Sequence, residues 1–84
     1  MDVEEIIERH KGVIRDYAGA IWYNRFWSKV PYEDIHADAL VGFWWAVETY
    51  DEDKGIPFLA WAKFKMRNEI YDNLRVRSQW SRAQ

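Results

Sequence analysis

The chain contains no cysteine, so no disulfide and no thiolate metal site can stabilise it. Glycine is sparse and scattered, at Gly12, Gly19, Gly42 and Gly55, which leaves no glycine-rich loop able to cradle phosphate. The two histidines, His10 and His36, stand apart from any group of ligands at metal spacing. Carboxylates such as Asp34 and Asp38 sit at ordinary helix-surface spacing. Nothing here points to an enzyme, a bound metal or a cofactor. No run approaches the roughly 20 apolar residues of a membrane span, and the start, MDVEEIIERH, carries acid where a secretory leader carries base. A cytoplasmic location is expected.

Aromatic rings are what the chain has in excess: six Trp, five Tyr and four Phe among 84 residues. A single domain of this size buries only about 60 to 65 per cent of its unfolded surface, and so many rings cannot all fit one small core. Some must face solvent or a partner. The net charge of −2 conceals a gradient. Residues 1–56 hold 12 acids against 6 bases, net −6, whereas residues 57–84 hold 2 against 6, net +4. A local excess of base attracts phosphate whatever the whole-chain sum, although cations near a helix C-terminus are also favoured by the macrodipole alone.

The spacing of apolar residues predicts three helices, over residues 2–27, 32–49 and 57–77, with residues 78–84 as a frayed tail. The first break falls at Ser28 to Pro31, because proline disfavours helical geometry in the residue before it. An acidic turn, Asp51 to Gly55, makes the second. The expected architecture is one all-α domain, a compact three-helix bundle, with no room for a parallel sheet.

Two of the helices have two non-polar faces. On the third, Leu59, Ala62, Met66, Ile70 and Leu74 form a core stripe, while Trp61, Phe64, Asn68, Tyr71 and Arg75 form a second stripe pointing away, flanked by Lys65 and Arg67. Either this second stripe packs beneath the first helix, or it stays open as a wet face on which unpaired bases stack. Its polar members favour the second arrangement, because an unpartnered buried polar group costs about 1 to 3 kcal/mol. On the second helix, Ile35, Ala39, Leu40, Phe43, Ala46, Val47 and Tyr50 share one side. Asp34, Ala37, Asp38, Val41, Trp44, Trp45 and Glu48 share the other. An acidic face bearing Val and Trp has the character of a docking surface for a basic, partly apolar helix; alternatively one tryptophan wraps back over the bundle edge.

The run Glu33-Asp34-Ile35, Val41-Gly42-Phe43, Ala46-Val47-Glu48, Tyr50-Asp51, Gly55, Phe58, Trp61-Ala62, Arg67, closing on Tyr71-Asp72-Asn73-Leu74-Arg75, resembles region 2 of bacterial sigma-70 family RNA polymerase sigma factors. It is most similar to the alternative, flagellar or general-stress type. The resemblance implies that the second helix docks on the coiled coil of the polymerase largest subunit through Asp34, Asp38, Val41 and Trp44. The third helix would recognise and melt the −10 promoter element on the non-template strand. Phe58 and Trp61 would capture bases there, with Phe64 and Lys65 at the upstream fork and Arg67, Asn68, Tyr71 and Arg75 toward the duplex edge or backbone. Such a protein would be associated with the nucleoid.

The sequence departs from the family at Ala37, Leu40 and Trp45 on the docking helix. It also has Ala60-Trp61 for the usual Thr-Tyr, and Phe64-Lys65 where housekeeping factors carry two tryptophans. No segment after Leu74 resembles the helix-turn-helix of a complete factor, so the 84 residues are expected to be either an excised domain or a stand-alone region 2 working with a second protein. The other reading is an interaction module of sigma fold that binds polymerase or a regulator without reading DNA.

Overall fold

The computed structural model describes residues 2–26 and 29–83, with side chains for residues 2–24 and 29–75. The described residues form four α-helices: α1 (Val3–Arg9), α2 (Lys11–Ile21), α3 (Tyr32–Thr49) and α4 (Phe58–Ala83). A π-helical turn, Trp22–Phe26, extends α2, and a 3₁₀ turn, Glu52–Lys54, lies between α3 and α4. No strand occurs among the described residues, and the all-α expectation holds.

The expected first helix is two. Asp2 caps α1 by accepting from the Glu4 amide, with Glu4 and Glu5 in the first turn where the helix dipole favours acid. The helix stops at His10, whose backbone leaves helical geometry (φ −111°, ψ 15°) and whose ring Nδ1 donates to the Ile6 carbonyl at 2.8 Å. The ring then lies against Phe43 and Phe58, at 5.5 and 6.0 Å between centroids. Periodicity could not show this break, because apolar spacing continues across it. Pro31 opens α3 as expected, with the Asp34 amide bonded to the Pro31 carbonyl; Trp27 and Ser28 lie outside the described residues.

α3 is the central helix, with α4 packed along one side and α2 along another, and α1 leaning on it as well. The core is Ile14 and Ala18 of α2, Ile35, Ala39, Phe43 and Ala46 of α3, and Ala62, Met66 and Ile70 of α4, all fully buried. Gly42 sets the closeness of the α3–α4 crossing: a Cβ there would stand 2.5 Å from the Met66 Cα and 2.7 Å from the Lys65 carbonyl oxygen. Leu59, expected in the core stripe, is 40% exposed, because it lies in the first turn of α4 beyond the end of α3.

The α3–α4 connection is held by local chemistry. Asp51 accepts from the Asp53 amide, the Tyr50 hydroxyl donates to the Ile56 carbonyl at 2.8 Å, and Gly55 takes the left-handed conformation (φ +75°) that closes the 3₁₀ turn. α4 runs through the region expected to fray, as far as Ala83. With no proline or glycine after Pro57, nothing stops the helix once apolar periodicity is lost.

Candidate nucleic-acid interface

The outward stripe of α4 does not pack beneath the N-terminal helices. Phe64 is 52% exposed, and Arg67, Asn68 and Arg75 are exposed, while Trp61, Lys65 and Tyr71 are half-buried at the flanks. The stripe divides into two ring-and-cation groups. On one flank Trp61 and Phe64 stack at 5.7 Å with an interplanar angle of 30°, and the Lys65 ammonium stands 4.9 Å above the Trp61 ring. On the other flank the Arg67 guanidinium lies 5.5 Å over Tyr71. Tyr17 of α2 approaches this second group: burial pushes its hydroxyl above the ordinary tyrosine range, and the Arg67 charge opposes that rise. Arg75 stands 4.0 Å from Asp72, both exposed, a pairing of little energetic weight. Asn68 lies between the groups, facing solvent.

Beside Trp61 the molecule has a cavity of about 50 Å³, walled by Thr49, Tyr50, Asp51, Lys54, Ile56 and Trp61. It exists because α3 ends and the chain turns through the 3₁₀ segment before α4 begins. The volume admits a few waters, hence the edge of a planar base rather than a whole nucleotide. The Trp61 indole Nε1 is buried with no hydrogen-bond partner among the described residues. An orphan donor of this kind costs about 1 to 3 kcal/mol, which an acceptor on an incoming group would recover.

Phe58 does not share that cavity. It is a hub of the interior, edge-on to Phe43 at 5.6 Å and to Tyr50 at 5.2 Å. Its remaining edge lines a wider groove of about 450 Å³, with Ile6, Arg9, His10, Val47 and Tyr50. Tyr50 is the wall between groove and cavity. The resemblance to region 2 had placed Phe58 and Trp61 together as the base-capturing pair; at the start of α4 the Phe58 ring is instead engaged by Phe43 and Tyr50, while Trp61 stacks on Phe64.

On α3, Val41, Trp44 and Trp45 are exposed, with the two indoles edge-to-face at 4.8 Å, and Asp34 is half-buried. Asp38 is not on the open acidic face where it was expected. It is 6% exposed, sits under α4 and accepts from the Asn73 side-chain amide at 2.9 Å; that amide also reaches Glu69. A short carboxylate four residues before Gly42 falls inside the close helix crossing, where it meets α4. Thr49 and Ile56 were not singled out from the sequence, and Asp51 and Lys54 were read as part of the acidic turn.

The fold and this face define an all-helical module with an aromatic, basic edge. Residues 6–81 match the Sigma-70 region 2 family, and the chain belongs to it. No curated protein and no solved structure matches the chain. Membership carries a role in sigma-factor transcription initiation, with RNA polymerase core and promoter DNA as partners. No helix among the described residues is long and apolar enough to cross a membrane.

Proposed function

We propose that the Trp61–Phe64 edge of α4 recognises and melts the −10 element by holding unpaired bases of the non-template strand, while Asp34, Val41 and Trp44 on α3 dock on the coiled coil of the polymerase largest subunit. The observation that carries this reading is the open cavity beside Trp61. Trp61, one of its walls, stacks on Phe64, carries the Lys65 ammonium over its ring and holds a buried indole donor without a partner among the described residues. Stacking contributes roughly 1 to 3 kcal/mol per base, comparable with the few kcal/mol needed to extrude one from a duplex. Two rings and a few phosphate contacts therefore stabilise an opened strand without forcing a long duplex apart.

The module is of the flagellar or general-stress type in this reading, on its Tyr50-Asp51 and Gly55 turn and its Asp72-Asn73-Leu74-Arg75 ending. Upstream promoter recognition falls in this reading to a region 4-like helix-turn-helix, carried either elsewhere in the same protein or by a second protein. The competing reading, an interaction module that ignores DNA, shares the docking face but gives the α4 edge no role.

Affinity for single-stranded oligonucleotides, measured with the chain bound to polymerase core, tests the proposal. Trp61→Ala is expected to weaken binding about tenfold or more, with Trp61→Phe close to the parent. Equal affinities for all three, with helix content unchanged by circular dichroism, would show that the edge does not hold bases.

A further inference from the structure

The register of the α3–α4 pair brings one more ring to the same edge. Along α3, Asp38, Gly42, Trp45 and Thr49 recur at i, i+4, i+7 and i+11, and so share one stripe. Three of the four have their neighbours on α4. Asp38 accepts from Asn73, Gly42 lies against the Lys65–Met66 backbone, and Thr49 shares the cavity wall with Trp61. These contacts make the helices antiparallel. Trp45 therefore falls between Gly42 and Thr49, level with the turn of α4 that carries Trp61 and Lys65. Its ring is 47% exposed, and Trp44 meets it only edge-to-face, at 70° between planes.

We propose that Trp45 is a second stacking platform, for a nucleotide next to the one held at Trp61, so that an unpaired strand crosses the α3–α4 seam above Lys65. The inference rests on the single-strand reading of the α4 edge. Charge on the seam favours nucleic acid over a partner helix. Lys54 and Lys65 both lie here, and among the described residues no ion pair engages either. Of the acids around the seam, Asp51 accepts from the Asp53 amide and Glu69 from the Asn73 side chain, whereas Glu48, three residues after Trp45, and Glu52 and Asp53 of the turn are exposed. A ring on a seam that also carries Lys54 and Lys65 suits a base and its phosphate. A basic helix would meet like charge at this seam.

Fluorescence anisotropy of labelled oligo(dT) and oligo(dA) of about 12 nucleotides, with the chain bound to polymerase core, tests it; core binding without DNA is measured in parallel. Trp45→Ala is expected to weaken oligonucleotide affinity about tenfold at unchanged core binding, and Trp45→Phe to retain most of it. Because the side chain is half exposed, neither change should alter the helical circular dichroism. If Trp61→Ala weakens binding and Trp45→Ala does not, the second platform is wrong while the α4 edge stands. Indifference to both changes removes the edge and the platform together. A Trp45→Ala protein that loses polymerase core but keeps its oligonucleotide affinity assigns the ring to a protein contact and overturns the proposal.

Discussion

At the scale of single residues, two glycines in helices show opposite physics. Gly12 has open space where a Cβ would go, whereas Gly42 faces the α4 backbone at 2.5 Å. Gly12→Ala is therefore expected to stabilise the fold by about 0.5 to 1 kcal/mol, the entropy a helical glycine forfeits. Gly42→Ala should destabilise it by about 1 to 3 kcal/mol, because rigid backbone, not a flexible side-chain end, must move. Urea unfolding of the two proteins checks both signs; a stabilising Gly42→Ala would mean the helices are not in such close contact. Asn73 is the second residue whose role is set by burial. Its amide is a donor to a carboxylate that α4 covers, and Asn73→Ala is expected to cost about 1 to 3 kcal/mol, read by the same melts.

At the scale of elements, the legibility of the chain was uneven for identifiable reasons. The apolar periodicity of α3 and α4 is strong. Ile35, Ala39, Phe43 and Ala46, then Ala62, Met66 and Ile70, are buried where spacing put them. The His10 break was invisible because its cause is a side-chain hydrogen bond to a carbonyl one turn back, together with ring packing on Phe43 and Phe58. Asp38 was misplaced because a helical wheel assigns a face but not the depth at which a neighbouring helix crosses. Trp61 and Phe64 emerged as an outward pair from spacing alone, but the cavity beside them is built by the irregular turn, where no period exists to read. The turn makes its own prediction. Gly55→Ala puts a Cβ on a residue at φ +75°, at a cost of about 1 to 2 kcal/mol. A shift of the thermal midpoint on that scale, larger than that of an exposed helix substitution, is the expected result.

At the scale of the whole molecule, the chain divides into an acidic N-terminal part, net −6 over residues 1–56, and a basic part built on α4, net +4 over residues 57–84. α3 is shared between them: one face is exposed at Val41 and Trp44, and the opposite face is locked to α4 through Gly42, Asp38 and the core. In the proposed reading the docking helix and the ring-bearing edge are therefore parts of one packed unit. Binding of single strands should weaken with salt at a slope near −0.7 per phosphate neutralised. Lys65→Ala is expected to reduce that slope by about 0.7 as well as the affinity, whereas Trp61→Ala should lower affinity with the slope unchanged. Titrations at three or more salt concentrations separate the two effects; a shared slope change would mean that ring and cation do not act independently.

The central claim, that the Trp61–Phe64 edge receives unpaired nucleotides, is tested most directly by photocrosslinking. Bubble and closed-duplex DNA containing 5-bromodeoxyuridine would be presented to the chain on polymerase core, and the crosslinked residues mapped by mass spectrometry. Crosslinks at Trp61 or Phe64 with bubble DNA, absent with closed duplex, are the predicted result. Equal crosslinking of both DNAs, or crosslinks confined to α1 and α2, would contradict it.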